Sequence, residues 1–116
     1  MITYVLFAHY VNDFLGQNLL FQKLEIGKNK SKSWSILSLH IVLYTIGMFC
    51  MMLPFLTFEQ AAIFAAINGG SHFVIDAITS RVTTRAYVNG HTRLFWNTIG
   101  LDQFLHVAIL CATLPT

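Results

Sequence analysis

The chain has 116 residues, of which 55% are hydrophobic and 10% are charged, and its formal net charge is +2 at pH 7. So few charged residues cannot cover the surface of a soluble domain of this length. The apolar content excludes a disordered chain, the presence of only two cysteines excludes a disulfide scaffold, and the low net charge argues against nucleic-acid binding. These features predict one all-α domain, residues 1–116, embedded in a lipid bilayer.

Four apolar stretches are long enough to cross a hydrocarbon core, which takes about 20 helical residues. We predict membrane-spanning helices at residues 2–22, 34–55, 58–80 and 94–114, which together form an integral membrane bundle of four transmembrane helices. Ser33 precedes the second helix and is predicted to cap it. Asn89-Gly90 predicts a turn between the third and fourth helices.

The third predicted helix carries small residues at spacings of four. They form two stripes, Ala61, Ala65 and Gly69, and Ala62, Ala66 and Gly70. Small residues at this spacing let helix backbones approach closely in a membrane, so this helix is predicted to lie at the centre of the bundle. The alternative is that alanine and glycine are simply common in membrane spans.

All seven lysines and arginines lie in two of the predicted loops or at their edges. The four lysines separate the first two spans and the three arginines separate the last two: Lys23, Lys28, Lys30 and Lys32, and Arg81, Arg85 and Arg93. Basic loops remain on the cytoplasmic side of a membrane. We therefore expect a multi-pass protein of the inner, cytoplasmic membrane with both termini on the periplasmic side.

Histidine and aspartate recur at a spacing of four within three predicted spans, and His40 lies in the remaining span. The three pairs are His9 and Asp13, His72 and Asp76, and Asp102 and His106. Residues at this spacing share one helix face, and carboxylates in a bilayer are costly unless they face the bundle interior. All seven side chains are predicted to converge on one buried site, with no buried Lys or Arg to neutralise the three carboxylates.

Neutral imidazole and carboxylate together suit a divalent metal, with Zn or Mn favoured and Fe also compatible. The predicted ligands are drawn from His9, Asp13, His40, His72, Asp76, Asp102 and His106. Polar neighbours predicted to support the site are Gln17, Tyr44, Asn68 and Gln103. The alternative is that each His–Asp pair forms a buried hydrogen bond that holds helices together.

Two classes of function remain open. In the first, the protein is a membrane metalloenzyme that hydrolyses a phosphoester or lipid-linked substrate at the cytoplasmic leaflet, with Asp76, Asp102 and His106 as catalytic residues. An anionic lipid headgroup or the phosphate of the substrate would then contact Arg81, Arg85 and Arg93. In the second class, the protein is a proton or metal conduit, or a phage-type module that modifies the host envelope. A homo-oligomer is compatible with either class.

The polar residues also form an ordered motif along nearly the whole chain. Its parts are His9-x3-Asp13-Phe14-x2-Gln17, Leu-His40-x3-Tyr44, His72-x2-Ile75-Asp76 and Asp102-Gln103-x2-His106. This motif resembles the domain of unknown function 3307 family, which consists of small multi-span membrane proteins of bacteria and phages. A looser similarity of pattern links it to small inner-membrane proteins labelled metal-dependent hydrolases. The resemblance implies that the motif residues are the family's characteristic polar positions.

Overall fold

The computed structural model describes residues 1–14, 30 and 32–115. The described residues form four helices and contain no strand, so the predicted all-α class is confirmed. The helices are α1 (Ile2–Tyr10), α2 (Trp34–Met52), α3 (Phe58–Val88) and α4 (Thr92–Thr113).

Three helices, α2, α3 and α4, are long and apolar enough to cross a membrane. This indicates a membrane protein, with three candidate spans among the residues that the structure describes. Helix α1 has nine described residues, and residues 15–22 of the first predicted span, including Gln17, lie outside the described residues.

Side-chain caps and a glycine turn determine where the helices begin and end. Ser33 Oγ accepts a hydrogen bond from a backbone N–H in the first turn of α2, at 3.3 Å, which confirms the predicted cap. Thr57 and Gln60 form a reciprocal capping box at the start of α3. Gly90, at φ 73°, adopts a left-handed conformation that favours glycine, and this confirms the predicted turn between α3 and α4.

Helix α3 continues past residue 80, where the third predicted span ends, to Val88. Its 31 residues give a length of about 46 Å at ~1.5 Å per residue, whereas the hydrocarbon core is about 30 Å thick. The last turns of α3 carry Arg81 and Arg85. Because guanidinium groups are costly in hydrocarbon, these turns are expected to extend beyond it.

Helix α3 lies at the centre of the bundle, as its small residues predict, and packs against both α2 and α4. The stripe that begins at Ala61 is buried. A Cβ atom at Gly69 would collide with Thr45 Oγ1 of α2, so glycine permits this close approach. The other stripe contains the exposed residues Ala66 and Gly70. Only the first stripe therefore mediates helix packing.

The bundle interior has an apolar part and a polar part. The apolar core lies where α1 begins, α2 ends and α3 begins, and consists of Val5, Ala8, Tyr44, Met48, Met52, Ala61, Phe64, Ala65 and Leu110. The buried histidines and aspartates lie nearer the opposite end, on the side of the α3–α4 turn. This polar part contains the candidate functional site.

Candidate metal centre

The structure brings buried histidine and aspartate side chains together in the bundle interior. Six of the seven predicted site residues are buried: His9, Asp13, His40, His72, Asp76 and His106. The seventh, Asp102, is half-buried, with 13% of its side chain exposed.

Asp13 connects three parts of the bundle. It lies in a π-helical turn, residues 11–14, that follows α1; such turns often occur at functional sites. Its Oδ1 atom is 3.1 Å from Nε2 of His72 on α3 and 3.2 Å from Nε2 of His40 on α2. Asp13, His40 and His72 each offer a metal-ligand atom, and these atoms lie within 4.8 Å of one another.

His72 also belongs to a second group of candidate ligands. One ligand atom from each of His72, Asp76 and His106 lies within 4.8 Å of the other two. The ring centroids of His72 and His106 are 4.1 Å apart, and His40 Nε2 is 3.6 Å from Asp76 Oδ2. The two groups therefore form one cluster around His72, which we call the His72 cluster: Asp13, His40, His72, Asp76 and His106.

Four buried atoms of the His72 cluster have no hydrogen-bond partner among the described residues. They are His40 Nε2, His72 Nδ1, Asp76 Oδ2 and His106 Nε2. Three of them still lie within ion-pair distance of a neighbour, Asp13 for His40, Lys30 for Asp76 and Asp102 for His106, so His72 Nδ1 is the one without either kind of contact among the described residues. Folded proteins rarely leave buried polar atoms in this state. Imidazole nitrogen and carboxylate oxygen are ligands for Zn, Mn and Fe, so the cluster fits a divalent ion. Ligand atoms of a tetrahedral zinc site lie about 3.4 Å apart, so the ligand atoms, which lie within 4.8 Å of one another, would have to move closer together to hold an ion.

Lys30 contributes a positive charge that the sequence did not predict at this site. Its Nζ atom lies 3.0 Å from both oxygens of Asp76, and only 14% of its side chain is exposed. The expectation that no buried Lys or Arg neutralises the carboxylates is therefore wrong for Asp76. The reason is physical: the long, flexible lysine stem brings the ammonium group from the connection between α1 and α2 to the carboxylate on α3.

Asp102 lies at the edge of the His72 cluster and belongs to neither candidate ligand group. Its Oδ1 atom accepts a hydrogen bond from Thr79 Oγ1 at 2.6 Å, and its Oδ2 atom accepts one from Gln103 Nε2 at 3.0 Å. His106 Nε2 is 3.3 Å from Oδ1. Asp102 is thus a partly exposed carboxylate held in place by two hydrogen bonds.

Both ring nitrogens of His9 are occupied by neighbouring side chains. His9 Nε2 contacts Gln103 Oε1 at 3.3 Å, and Nδ1 contacts the hydroxyl of Tyr44 at 2.8 Å. Since Oε1 only accepts, Nε2 donates and Nδ1 accepts from Tyr44. His9 also belongs to neither candidate ligand group, although its Nε2 is 3.7 Å from Asp13 Oδ2.

The other predicted supporting residues divide between the site and the rest of the bundle. Gln103 and Tyr44 contact site residues, as described. Asn68 lies elsewhere, because its Nδ2 atom donates to Phe64 O at 2.9 Å and to Thr113 Oγ1 at 2.9 Å.

A cavity of about 470 Å³ lies beside the His72 cluster. Phe95 and Ile99 of α4 contribute to its apolar wall. Its polar wall includes Asp13, Asp76, Asp102, Lys30, Lys32 and Ser80. The cavity therefore brings the carboxylates of the site together with two ammonium groups and an apolar surface.

The three arginines predicted to hold an anionic group do not line this cavity. The Arg81 guanidinium lies over the Trp34 ring, 4.1 Å from its centroid, and donates to Ala77 O at 2.6 Å. Arg85 and Arg93 are exposed.

The whole chain matches one known protein family. The family described as "Protein of unknown function (DUF3307)" matches residues 1–116, the whole chain. The chain belongs to this family. No curated protein and no solved structure matches it.

The sequence does not predict a role in this DUF3307 site for Lys30 or Thr79. Lys30 is a loop lysine, and the sequence contains no periodicity that would place it against Asp76. Thr79 follows Asp76 by three residues and so shares its helix face. That spacing is the signal that could have identified Thr79 as the hydrogen-bond donor to Asp102.

Proposed function

We propose that this DUF3307 protein crosses the inner membrane four times and binds a divalent metal ion at its cytoplasmic end. Two observations support the fourth span. The sequence that begins in α1 is apolar, and an even number of spans places all seven basic residues on one side of the membrane. Support for three spans comes from α2, α3 and α4. In this orientation both termini are periplasmic, and Lys30, Lys32 and the α3–α4 turn are cytoplasmic.

The metal proposal depends on the convergence of His72, Asp76 and His106, and on the buried His72 Nδ1 atom, which has neither a hydrogen bond nor an ion-pair contact among the described residues. His72, Asp76 and His106 are the proposed ligands. Asp13 accepts from His72 Nε2 and so leaves the Nδ1 lone pair available. A carboxylate that fixes the tautomer of a metal-binding histidine in this way is a recurring feature of metal sites.

Zn and Mn are the proposed ions, with Fe as a third candidate, since two imidazoles and one carboxylate suit all three. His40 and Asp13 lie next to these proposed ligands and contact Asp76 and His72. Three protein ligands would leave a coordination position open, which is typical of catalytic rather than structural sites.

The reaction that this site suits best is hydrolysis of a phosphoester, with Asp102 as the general base. A divalent ion supplies Lewis-acid activation of water and of a phosphoryl oxygen. Asp102 lines the cavity, lies outside both ligand groups and is positioned by Thr79 and Gln103. It would accept a proton as the water oxygen bonds to phosphorus, and return it to the alcohol as the phosphorus–oxygen ester bond breaks.

The second candidate function is non-enzymatic, with a structural His–Asp network. It is favoured by the contacts of Asp13 with His40 and His72 and of Lys30 with Asp76, which partly compensate the carboxylates without a metal. A conduit to the far side is disfavoured by the packed apolar core around Met48, Met52 and Phe64.

Metal analysis of the purified protein tests the proposal. The protein is purified in detergent without chelator and analysed for bound elements, and the metal-free form is then titrated with Zn²⁺ and with Mn²⁺ in a calorimeter. We expect wild type and His91→Ala, which changes an exposed residue, to bind equally. Asp76→Asn, which preserves shape, and His72→Ala should each weaken binding about a hundredfold or more. If neither ion binds wild type or raises its melting temperature, the site is a structural network.

A further inference from the structure

We propose that the cavity beside the His72 cluster binds an amphiphile with a phosphate head, taken from the cytoplasmic leaflet. This inference rests on the proposed function, because the proposed metal ion in the His72 cluster would lie next to the phosphate head. It adds the chemical class of the ligand and assigns its recognition to Ser80 and the cavity lysines, residues distinct from the proposed metal ligands.

Ser80 is the observation that points to a ligand. Ser80 is 6% exposed and lines the cavity, and its Oγ atom has no hydrogen-bond partner among the described residues. The neighbouring hydroxyls are already engaged: Thr79 Oγ1 donates to Asp102, and Thr83 Oγ1 donates to Ser80 O at 3.0 Å. A buried hydroxyl without a partner is costly, so an oxygen of a ligand in the cavity is its natural acceptor.

Charge explains why the head would be anionic and why it would bind with the metal. The cavity wall contains three carboxylates and two ammonium groups, so its formal charge is −1. A divalent ion in the His72 cluster changes that charge to +1. An anion is therefore repelled by the metal-free cavity and attracted by the metal-loaded one.

The walls and position of the cavity favour an amphiphile over a free anion. Phe14, Tyr87, Val88, Phe95 and Ile99 give it an apolar wall, and its volume of about 470 Å³ falls in the range of small-molecule sites, about 300–1,000 Å³. Exposed aromatic rings lie at the same end of the bundle: Trp34 is 60% exposed and Trp96 63%. Such rings lie at the level of lipid headgroups, so the cavity is placed at the bilayer surface.

Titration with hexylphosphonate tests the inference. This probe has a short chain, a phosphate-like head and a carbon–phosphorus bond that the proposed hydrolysis does not cleave. Inorganic phosphate and hexyltrimethylammonium are titrated in parallel, into protein freed of excess ion, with and without one equivalent of Zn²⁺. We expect hexylphosphonate to bind most tightly, and Zn²⁺ to strengthen its binding about tenfold or more.

Two serine variants of α3 give a matched comparison. Ser80→Ala should weaken hexylphosphonate binding about tenfold, as expected for a lost hydrogen bond to a charged group, without changing Zn²⁺ binding. Ser71→Ala removes a hydroxyl that donates to Asn68 O and does not line the cavity, so it should change neither.

Each outcome decides between the two proposals. If Zn²⁺ binds but hexylphosphonate does not, or if Ser80→Ala leaves its binding unchanged, the amphiphile site is wrong and the metal centre stands. If inorganic phosphate binds as tightly as hexylphosphonate, the ligand is a free anion and the inference is overturned. If hexylphosphonate binds with the expected Ser80 dependence although Zn²⁺ does not bind, the amphiphile site is supported and the metal proposal fails.

Discussion

The Nζ atom of Lys30 lies 3.0 Å from both carboxylate oxygens of Asp76. This contact places an ammonium group against a proposed metal ligand. Since the same carboxylate cannot be fully shared by an ammonium group and a divalent ion at close range, a metal ion would have to displace Lys30. Lys30 thus acts as a competitor for the metal in the metal-free protein.

Lys30→Met should increase the affinity for Zn²⁺ about tenfold or more, because it removes both the competing ion pair and a repelling charge. The same substitution should lower the melting temperature of the metal-free protein, since it leaves the buried Asp76 carboxylate without its counterion. Calorimetric titration and thermal unfolding in detergent measure the two effects.

Lys32→Met is the control for this prediction, because Lys32 lines the same cavity and no ion pair joins it to Asp76 among the described contacts. Its effect on Zn²⁺ affinity should be smaller. Equal effects of the two substitutions would show that general charge, rather than the Lys30–Asp76 pair, controls metal binding.

Asp102→Asn should leave Zn²⁺ binding within about threefold of wild type, but slow phosphate release from hexyl phosphate about a hundredfold or more. The reason is that Asp102 belongs to neither ligand group and is the proposed base. Glu59→Gln, which changes an exposed acid at the start of α3, should alter neither property. A loss of Zn²⁺ binding in Asp102→Asn would instead make Asp102 a metal ligand.

The sequence predicted which polar residues meet, but not which atoms contact one another. The i, i+4 spacing of His9 with Asp13 places both on one helix face, and both are buried in the bundle interior. Yet the nearest imidazoles to Asp13 come from other helices, His72 at 3.1 Å and His40 at 3.2 Å, whereas His9 is at 3.7 Å. Helical spacing determines a face, and the relative rotation and height of neighbouring helices determine the contacts.

Features that depend on neighbouring residues in the chain, such as caps and turns, can be predicted from the sequence. The cap at Ser33 and the turn at Gly90 depend on a few neighbouring atoms, and both were predicted. The contact of Lys30 with Asp76 depends on the path of a connection 46 residues away in sequence, so no local pattern encodes it. The choice between the two small-residue stripes of α3 likewise depends on where α2 lies.

Gly69→Leu should lower the stability of the folded protein by about 1–3 kcal/mol, because the added side chain meets Thr45 in a tightly packed contact between α2 and α3. Gly70→Leu is a matched control, since a Cβ atom at the adjacent Gly70 has no neighbour within 4 Å. Thermal unfolding of both variants in the same detergent measures the difference. Similar melting temperatures would contradict the close approach of the two helices at Gly69.

The proposed four-span topology predicts which positions of the chain are accessible from outside the cell. Single cysteines are introduced at the exposed residues Thr3, Glu59 and His91, after the exposed Cys50 and Cys111 have been replaced by serine. We expect a membrane-impermeant maleimide to label Thr3→Cys and Glu59→Cys in spheroplasts. His91→Cys should be labelled only after the membrane is permeabilised, because it lies near the basic residues that the proposed topology places in the cytoplasm.

Each departure from this labelling pattern contradicts a different part of the topology. Labelling of His91→Cys but not of Glu59→Cys would reverse the orientation. Labelling of both from the same side would show that α3 does not cross the membrane. Accessibility of Thr3→Cys only after permeabilisation, with Glu59→Cys labelled from outside, would leave three spans, because the segment that begins with α1 would then not cross. That result would also contradict the structure, in which the start of α1 packs beside the end of α2.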